Sequence, residues 1–126
     1  MFFPFFAQTG ARNIHCLPAQ AEARPDLISI YGEIPDWDVG MVMNMSRLFA
    51  ETSFNEPIGS WNTSAVTDMQ GMFYKAKKFN QSIGSWDTSA VADMEGMFSS
   101  AENFNQPIGC WNTSAVTDME GMFSSA

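Results

Sequence analysis

Tryptophan sets the period of this chain. Trp61, Trp86 and Trp111 stand 25 residues apart, and each opens nearly the same run: Trp61-Asn-Thr-Ser-Ala-Val-Thr-Asp-Met-Gln-Gly-Met-Phe, then its copies from Trp86 and Trp111. A more divergent unit starts at Trp37 and is one residue shorter, with the deletion between Phe49 and Phe54. A second block recurs between the tryptophans, as Phe54-Asn-Glu-Pro-Ile-Gly-Ser60, Phe79-Asn-Gln-Ser-Ile-Gly-Ser85 and Phe104-Asn-Gln-Pro-Ile-Gly-Cys110. Residues 37–126 therefore hold three whole units and a fourth that stops at Ala126. A unit this short cannot bury its apolar face alone, and stacking copies solves that problem.

Each unit reads as two elements. Thr67-Asp68-Met69-Gln70 and Thr117-Asp118-Met119-Glu120 have the spacing of a helix capping box. Ala92 and Met43 take the Thr place in the other units, where Asp93 and Asn44, one residue on, are the alternative caps. Met69, Met72, Phe73 and Ala76 then follow at i, i+3, i+4 and i+7, the stripe of a short amphipathic helix. Phe79–Trp86 is too short and too punctuated by Gly and Pro for a helix, and reads as a short, irregular strand. The predicted interior of a coil is Trp61, Val66, Met69, Met72, Phe73, Ala76, Phe79 and Ile83. Gly71, Gly96 and Gly121 fall inside the predicted helices, where close approach of the next coil is the expected reason for glycine. Arg47 takes that place in the first unit, beside no more than a half coil. The expectation is an α/β repeat, a solenoid of about 25-residue coils, each a short strand plus a short helix. Leu27-Ile28-Ser29-Ile30-Tyr31 alternates like a strand. The organisation is a poorly ordered tail over 1–26 and a repeat domain over 27–126. The domain divides into a capping half coil (27–36), coils 37–60, 61–85 and 86–110, and an incomplete coil 111–126.

Charge and composition exclude several classes of function. Fourteen acidic against six basic side chains give a net charge of −8, the wrong sign for holding phosphate backbones or an anionic membrane surface. No stretch approaches the roughly 20 apolar residues of a membrane span, so no membrane insertion by this segment is expected. Met1–Ala7 resembles the apolar part of a signal peptide, but no basic residue precedes it and Pro4 interrupts it. The only histidine is His15 and the only cysteines are Cys16 and Cys110. No nucleophile–base, paired-carboxylate or phosphate-loop arrangement stands out, so the chain is read as no enzyme and as using no cofactor and no metal.

The unit Trp-Asp/Asn-x-Ser-x-Val-Thr-Asp-Met-x-x-Met-Phe-x-x-Ala-x-x-Phe-Asn-x-x-Ile resembles the repeat of BspA-type leucine-rich-repeat surface proteins, including related repeats of mycoplasma surface lipoproteins. The resemblance covers residues 30–126 and departs in the first unit (Gly40, Met41, Met43) and at Ala92. It implies a leucine-rich-repeat-like solenoid and a cell-surface or secreted setting. Some relatives are adhesins that bind host matrix proteins. The functional expectation is a non-enzymatic protein-binding module of an adhesin-like protein, a fragment of a longer array, with host or matrix surface proteins as partners. The alternative is a structural spacer whose coils extend a stalk.

Several ladders follow from the repeat itself. Asn80, Ser82 and Asn105 form a candidate exposed binding ladder, although amides stacked between coils explain Asn55, Asn80 and Asn105 without a ligand. Asn62 and Asn112 head candidate glycosylation sequons, as do Asn44 and Asn80. Asp68, Asp93 and Asp118 offer one carboxylate per coil, which is poor provision for calcium and suits the first turn of a helix. Thr63-Ser64 and its copies form a hydroxyl row that reads as a turn rather than an ice-binding face. Lys75, Lys77 and Lys78 read as a solvated basic face, and Cys110 as a free thiol in the place of Ser60 and Ser85. The fourth unit lacks its Phe-Asn-x-x-Ile block, so Met119, Met122 and Phe123 are expected at an open end that favours end-to-end self-association.

Overall fold

The computed structural model describes residues 32–126. The tail, the alternating segment Leu27–Tyr31, His15 and Cys16 lie outside the described residues.

The period becomes a stack of coils held in register by the backbone. The N–H groups of Met45, Arg47, Phe49 and Glu51 donate to the carbonyls of Asp68, Gln70, Met72 and Tyr74 in the next coil, at 2.7–2.9 Å. Met69, Gly71, Phe73 and Lys75 repeat this toward Asp93, Glu95, Met97 and Ser99. Met94, Gly96, Phe98 and Ser100 do so toward Asp118, Glu120, Met122 and Ser124. Other bonds run the opposite way, from the N–H groups of Thr67 and Asp68 to the Met43 carbonyl, from Ala92 to Thr67, and from Thr117 and Asp118 to Ala92. The ladder registers only as single parallel bridges, Asn44↔Asp68↔Asp93↔Asp118.

The expected strand-plus-helix coil does not form, and the chain is not a leucine-rich-repeat-like α/β solenoid. Among the described residues the regular structure amounts to one 3-10 turn, Ile34–Asp36, and those bridges. The reason lies in where the N–H groups point. An α-helix directs every N–H to the carbonyl four residues back. Here Met69, Gly71, Phe73 and Lys75 donate outward to the next coil, while Met72, Tyr74 and Ala76 donate to Met69, Gly71 and Phe73, three residues back. The segment is thus a chain of tight turns. Two of them, 69–72 and 73–76, sit back to back and turn their first and last residues inward. That produces the same i, i+3, i+4, i+7 stripe as a helix.

The glycines confirm the turns. Gly71, Gly96 and Gly121 occupy the third turn position with φ of 58°, 59° and 62°, where a side chain is disfavoured. Close approach is not the reason at Gly96 or Gly121, since a Cβ added there would meet nothing nearer than Ser99 Cβ at 4.0 Å or Ser124 Cβ at 3.9 Å. Close approach operates in the other block: a Cβ on Gly59 would lie 2.6 Å from the Ser82 carbonyl oxygen, and one on Gly84 2.7 Å from that of Pro107. The first coil places Arg47 at φ 55° where later coils have glycine, and Lys75 and Ser100 also stand in the left-handed region.

The capping boxes are replaced by a simpler device. Asp68 Oδ1 accepts the N–H of Gln70, Asp93 that of Glu95, Asp118 that of Glu120 and Asn44 that of Ser46, each spanning two residues. All four units therefore use the residue after the Thr position. Thr67 and Thr117 instead donate from Oγ1 across the coils to the carbonyls of Met43 and Ala92.

The predicted interior is the observed one: Trp61, Val66, Met69, Met72, Phe73, Ala76, Phe79 and Ile83 are all buried. Stacking turns them into columns. Phe49, Phe73, Phe98 and Phe123 run along the axis with ring centres 5.8, 5.5 and 5.5 Å apart. Phe54, Phe79 and Phe104 form a second column at 6.2 and 5.9 Å. The two columns touch within each coil, as at Phe73–Phe79, 4.0 Å. Indole Nε1 of Trp61, Trp86 and Trp111 donates to the carbonyls of Ile34, Ile58 and Ile83, so each large ring is buried with its polar atom satisfied. Thr63 and Thr88 are buried too, donating from Oγ1 to the carbonyls of Asp87 and Asn112. The hydroxyl row therefore faces inward at Thr63 and Thr88 and outward at Ser64 and Ser89.

Candidate functional site

The expected ladder is present, and stacking engages the side-chain oxygen of Asn80 as it does that of Asn55. Asn55 Oδ1 accepts the N–H of Asn80 and the side-chain amide of Gln81. Asn80 Oδ1 accepts from Asn105 N–H and Gln106 Nε2 in the same way. Asn80, Ser82 and Asn105 are exposed at the surface. Asn62 and Asn112 are exposed as well, and each accepts from the N–H of the Ser two residues on, so the glycosylation sequons sit in turns. Asp87 replaces Asn in the third unit, and hydrogen bonds from the Ser89 hydroxyl and N–H hold its carboxyl below the ordinary Asp value.

The basic cluster is largely engaged. Lys75 pairs with Glu51 at 3.7 Å and Lys77 with Glu102 at 2.9 Å, around a recess of about 410 Å³ that Lys78, Thr52 and Ser53 also line. Cys110 is an exposed free thiol. The Asp row keeps its structural role, although it supports turns and not helix ends. Carboxylate oxygens of Asp93, Glu95 and Asp118 lie within 4.8 Å of one another. One oxygen of each Asp already accepts a backbone N–H.

A groove of about 430 Å³ runs across the coils, and sequence reading missed it. Its floor is Gly71, Gly96 and Gly121, one wall is Gln70, Glu95 and Glu120, and the other is Tyr74, Ser99 and Ser124. These are successive positions of the repeated turns, so stacking alone aligns them into a channel. Arg47 closes one end. Its Cγ lies 3.3 Å from where a Cβ on Gly71 would sit, and its guanidinium lies 5.0 Å from the Tyr74 ring centre. Lys75 Nζ lies over the same ring at 5.1 Å. Gln70 Nε2 donates to Glu95 Oε1, tying the wall together from one coil to the next. No cation stands within ion-pair distance of Glu95 or Glu120 among the described residues. The available signal was the Gly at the third turn position, followed three residues later by Tyr74 in one coil and by a small polar residue, Ser99 and Ser124, in the next two.

Fold and groove together define a stacked-repeat protein built on a 25-residue tandem-turn unit. The chain belongs to the family described as "Mycoplasma protein of unknown function, DUF285", whose model matches residues 21–126. No curated protein and no solved structure matches it. No helix among the described residues is long and apolar enough to cross a membrane.

Proposed function

We propose that this chain is a non-enzymatic protein-binding repeat module of a cell-surface or secreted, adhesin-like protein. The observation that carries the reading is the groove, a concave channel that no single unit possesses and that crosses successive coils from Arg47 to Ser124. Extended concave surfaces of stacked repeats are the usual docking faces of such proteins. The sequence resemblance to surface-protein repeats supports the setting.

The spacer reading is supported by a different face. There the same bonds recur at two successive interfaces and spend Asn55 and Asn80 Oδ1, with Gln81 and Gln106 Nε2, on joining neighbouring coils, as a stalk requires. A panel of immobilised matrix and cell-surface proteins, probed with the wild-type chain and with Ser99→Trp, separates the two. The binding module retains a defined partner, and filling the groove abolishes that retention. Retention of no partner, or retention indifferent to Ser99→Trp, contradicts the groove as a binding face.

A further inference from the structure

We propose that the open stretch of the groove, above Gly96 and Gly121, takes an extended Lys- or Arg-bearing peptide segment of a partner protein. The inference rests on the protein-binding reading and names the chemistry of the partner. Space comes first. Arg47 fills the groove over Gly71, whereas above Gly96 and Gly121 nothing stands nearer than the Ser99 and Ser124 Cβ atoms, at 4.0 and 3.9 Å from a built Cβ. A ligand main chain can therefore lie on the glycine backbone itself. Charge comes second. Glu95 and Glu120 wall this stretch, Asp93 and Asp118 stand beside them, and the molecule supplies no cation to any of the four.

Other cationic or polar occupants fit less well. Tyr74, the one aromatic ring in the groove, is already covered by Arg47 and Lys75, so it offers no stacking platform for a sugar. A calcium ion wants six to eight oxygens, and Asp93 and Asp118 each spend one on a backbone N–H. An extended peptide places same-side residues about 6.7 Å apart. The coils repeat at 5.5 Å along the Phe73–Phe98–Phe123 column. The long flexible stems of Lys and Arg absorb that difference, so residues i and i+2 can address Glu95 and Glu120 together.

The test is fluorescence anisotropy of a labelled octapeptide alternating Lys and Ser, acetylated and amidated, titrated with the full 126-residue chain. A Glu–Ser octapeptide serves as the control. The Lys peptide is expected to bind with an affinity that falls as salt rises, and the Glu peptide not to bind. The double variant E95Q/E120Q keeps shape and one acceptor oxygen per side chain, and is expected to weaken binding about tenfold, the size that two solvent-accessible charge contacts supply. D87N/E102Q removes the same amount of charge away from the groove and should change affinity less than about twofold. Equal losses in the two double variants would show diffuse attraction and overturn the proposal. So would displacement of the peptide by millimolar calcium that itself requires Glu95 and Glu120. If the Lys peptide fails while a panel protein is still held in a Ser99→Trp-sensitive way, this inference falls and the protein-binding reading stands. If both fail, both fall.

Discussion

Replacing Gly96 with alanine distinguishes the turn-built coil from a helical one by the sign of its effect. In the interior of a helix, Gly→Ala is stabilising by about 1 kcal/mol. In this structure Gly96 has φ 59° at the third position of a turn. An alanine there carries the left-handed penalty of roughly 1–2 kcal/mol, with part of the Gly entropy cost, about 0.5–1 kcal/mol, returned through the unfolded state. Sterics add nothing, because the nearest atom to the new methyl is Ser99 Cβ at 4.0 Å. The net expectation is destabilisation of about 0.5–1.5 kcal/mol, which at about 4–8 °C per kcal/mol for a domain of this size lowers Tm by several degrees. Urea unfolding followed by tryptophan fluorescence measures it. Ser100 stands at φ 60° in the adjoining turn, so Ser100→Gly should move stability the opposite way, by about half a kcal/mol. A G96A variant more stable than wild type would refute the turn assignment.

Four further outcomes follow from the same geometry. Gly84→Ala drives a Cβ to 2.7 Å from the Pro107 carbonyl oxygen and should cost about 2–3 kcal/mol in urea unfolding, more than G96A. Phe73→Ala empties a fully buried site between Phe49, Phe79 and Phe98, with an expected loss of about 3–5 kcal/mol by thermal unfolding. The carboxyl of Asp87 titrates below the ordinary range because Ser89 bonds its charged form, so its contribution is present above the unfolded pKa and fades as pH falls through the lowered folded value. Ser89→Ala should raise that pKa toward 3.8, read by NMR titration of the Asp87 side chain. Phe123 and Met119 are 51% and 43% exposed, so the chain should associate with rising concentration in sedimentation velocity, and Phe123→Glu should suppress it.

The interior of this protein is legible in its sequence, and the hydrogen bonding that builds it is not. Trp61, Met69, Phe73 and Ile83 point inward in any fold that stacks the 25-residue unit, because apolar character and period decide that together. The i, i+3, i+4, i+7 spacing of Met69, Met72, Phe73 and Ala76 is shared by a helix and by two consecutive turns, so it cannot choose between them. Gly71, Gly96 and Gly121 carried the choice, as positions that need positive φ and not positions of crowding. The capping logic was half visible: Asp93 and Asn44 stood out only where Thr was missing, yet the same Asx position serves every coil. Asn80 and Asn105 were legible as a ladder, and the structure spends the Asn80 side-chain oxygen and both backbone N–H groups on the neighbouring coil. The groove was hidden for the same reason as the turns. Read as helix, Gln70 is a capping residue and Gly71 a point of close approach to the next coil, whereas in tandem turns both border a channel together with Tyr74.

Scalar couplings transmitted through backbone hydrogen bonds test the tandem-turn stack most directly, since each correlation names its donor and acceptor. The structure predicts a coupling from the Phe73 amide nitrogen to the Met97 carbonyl carbon, with matching pairs Phe49–Met72 and Phe98–Met122. A coupling from the Phe73 nitrogen to the Met69 carbonyl carbon, the bond an α-helix makes, would contradict it.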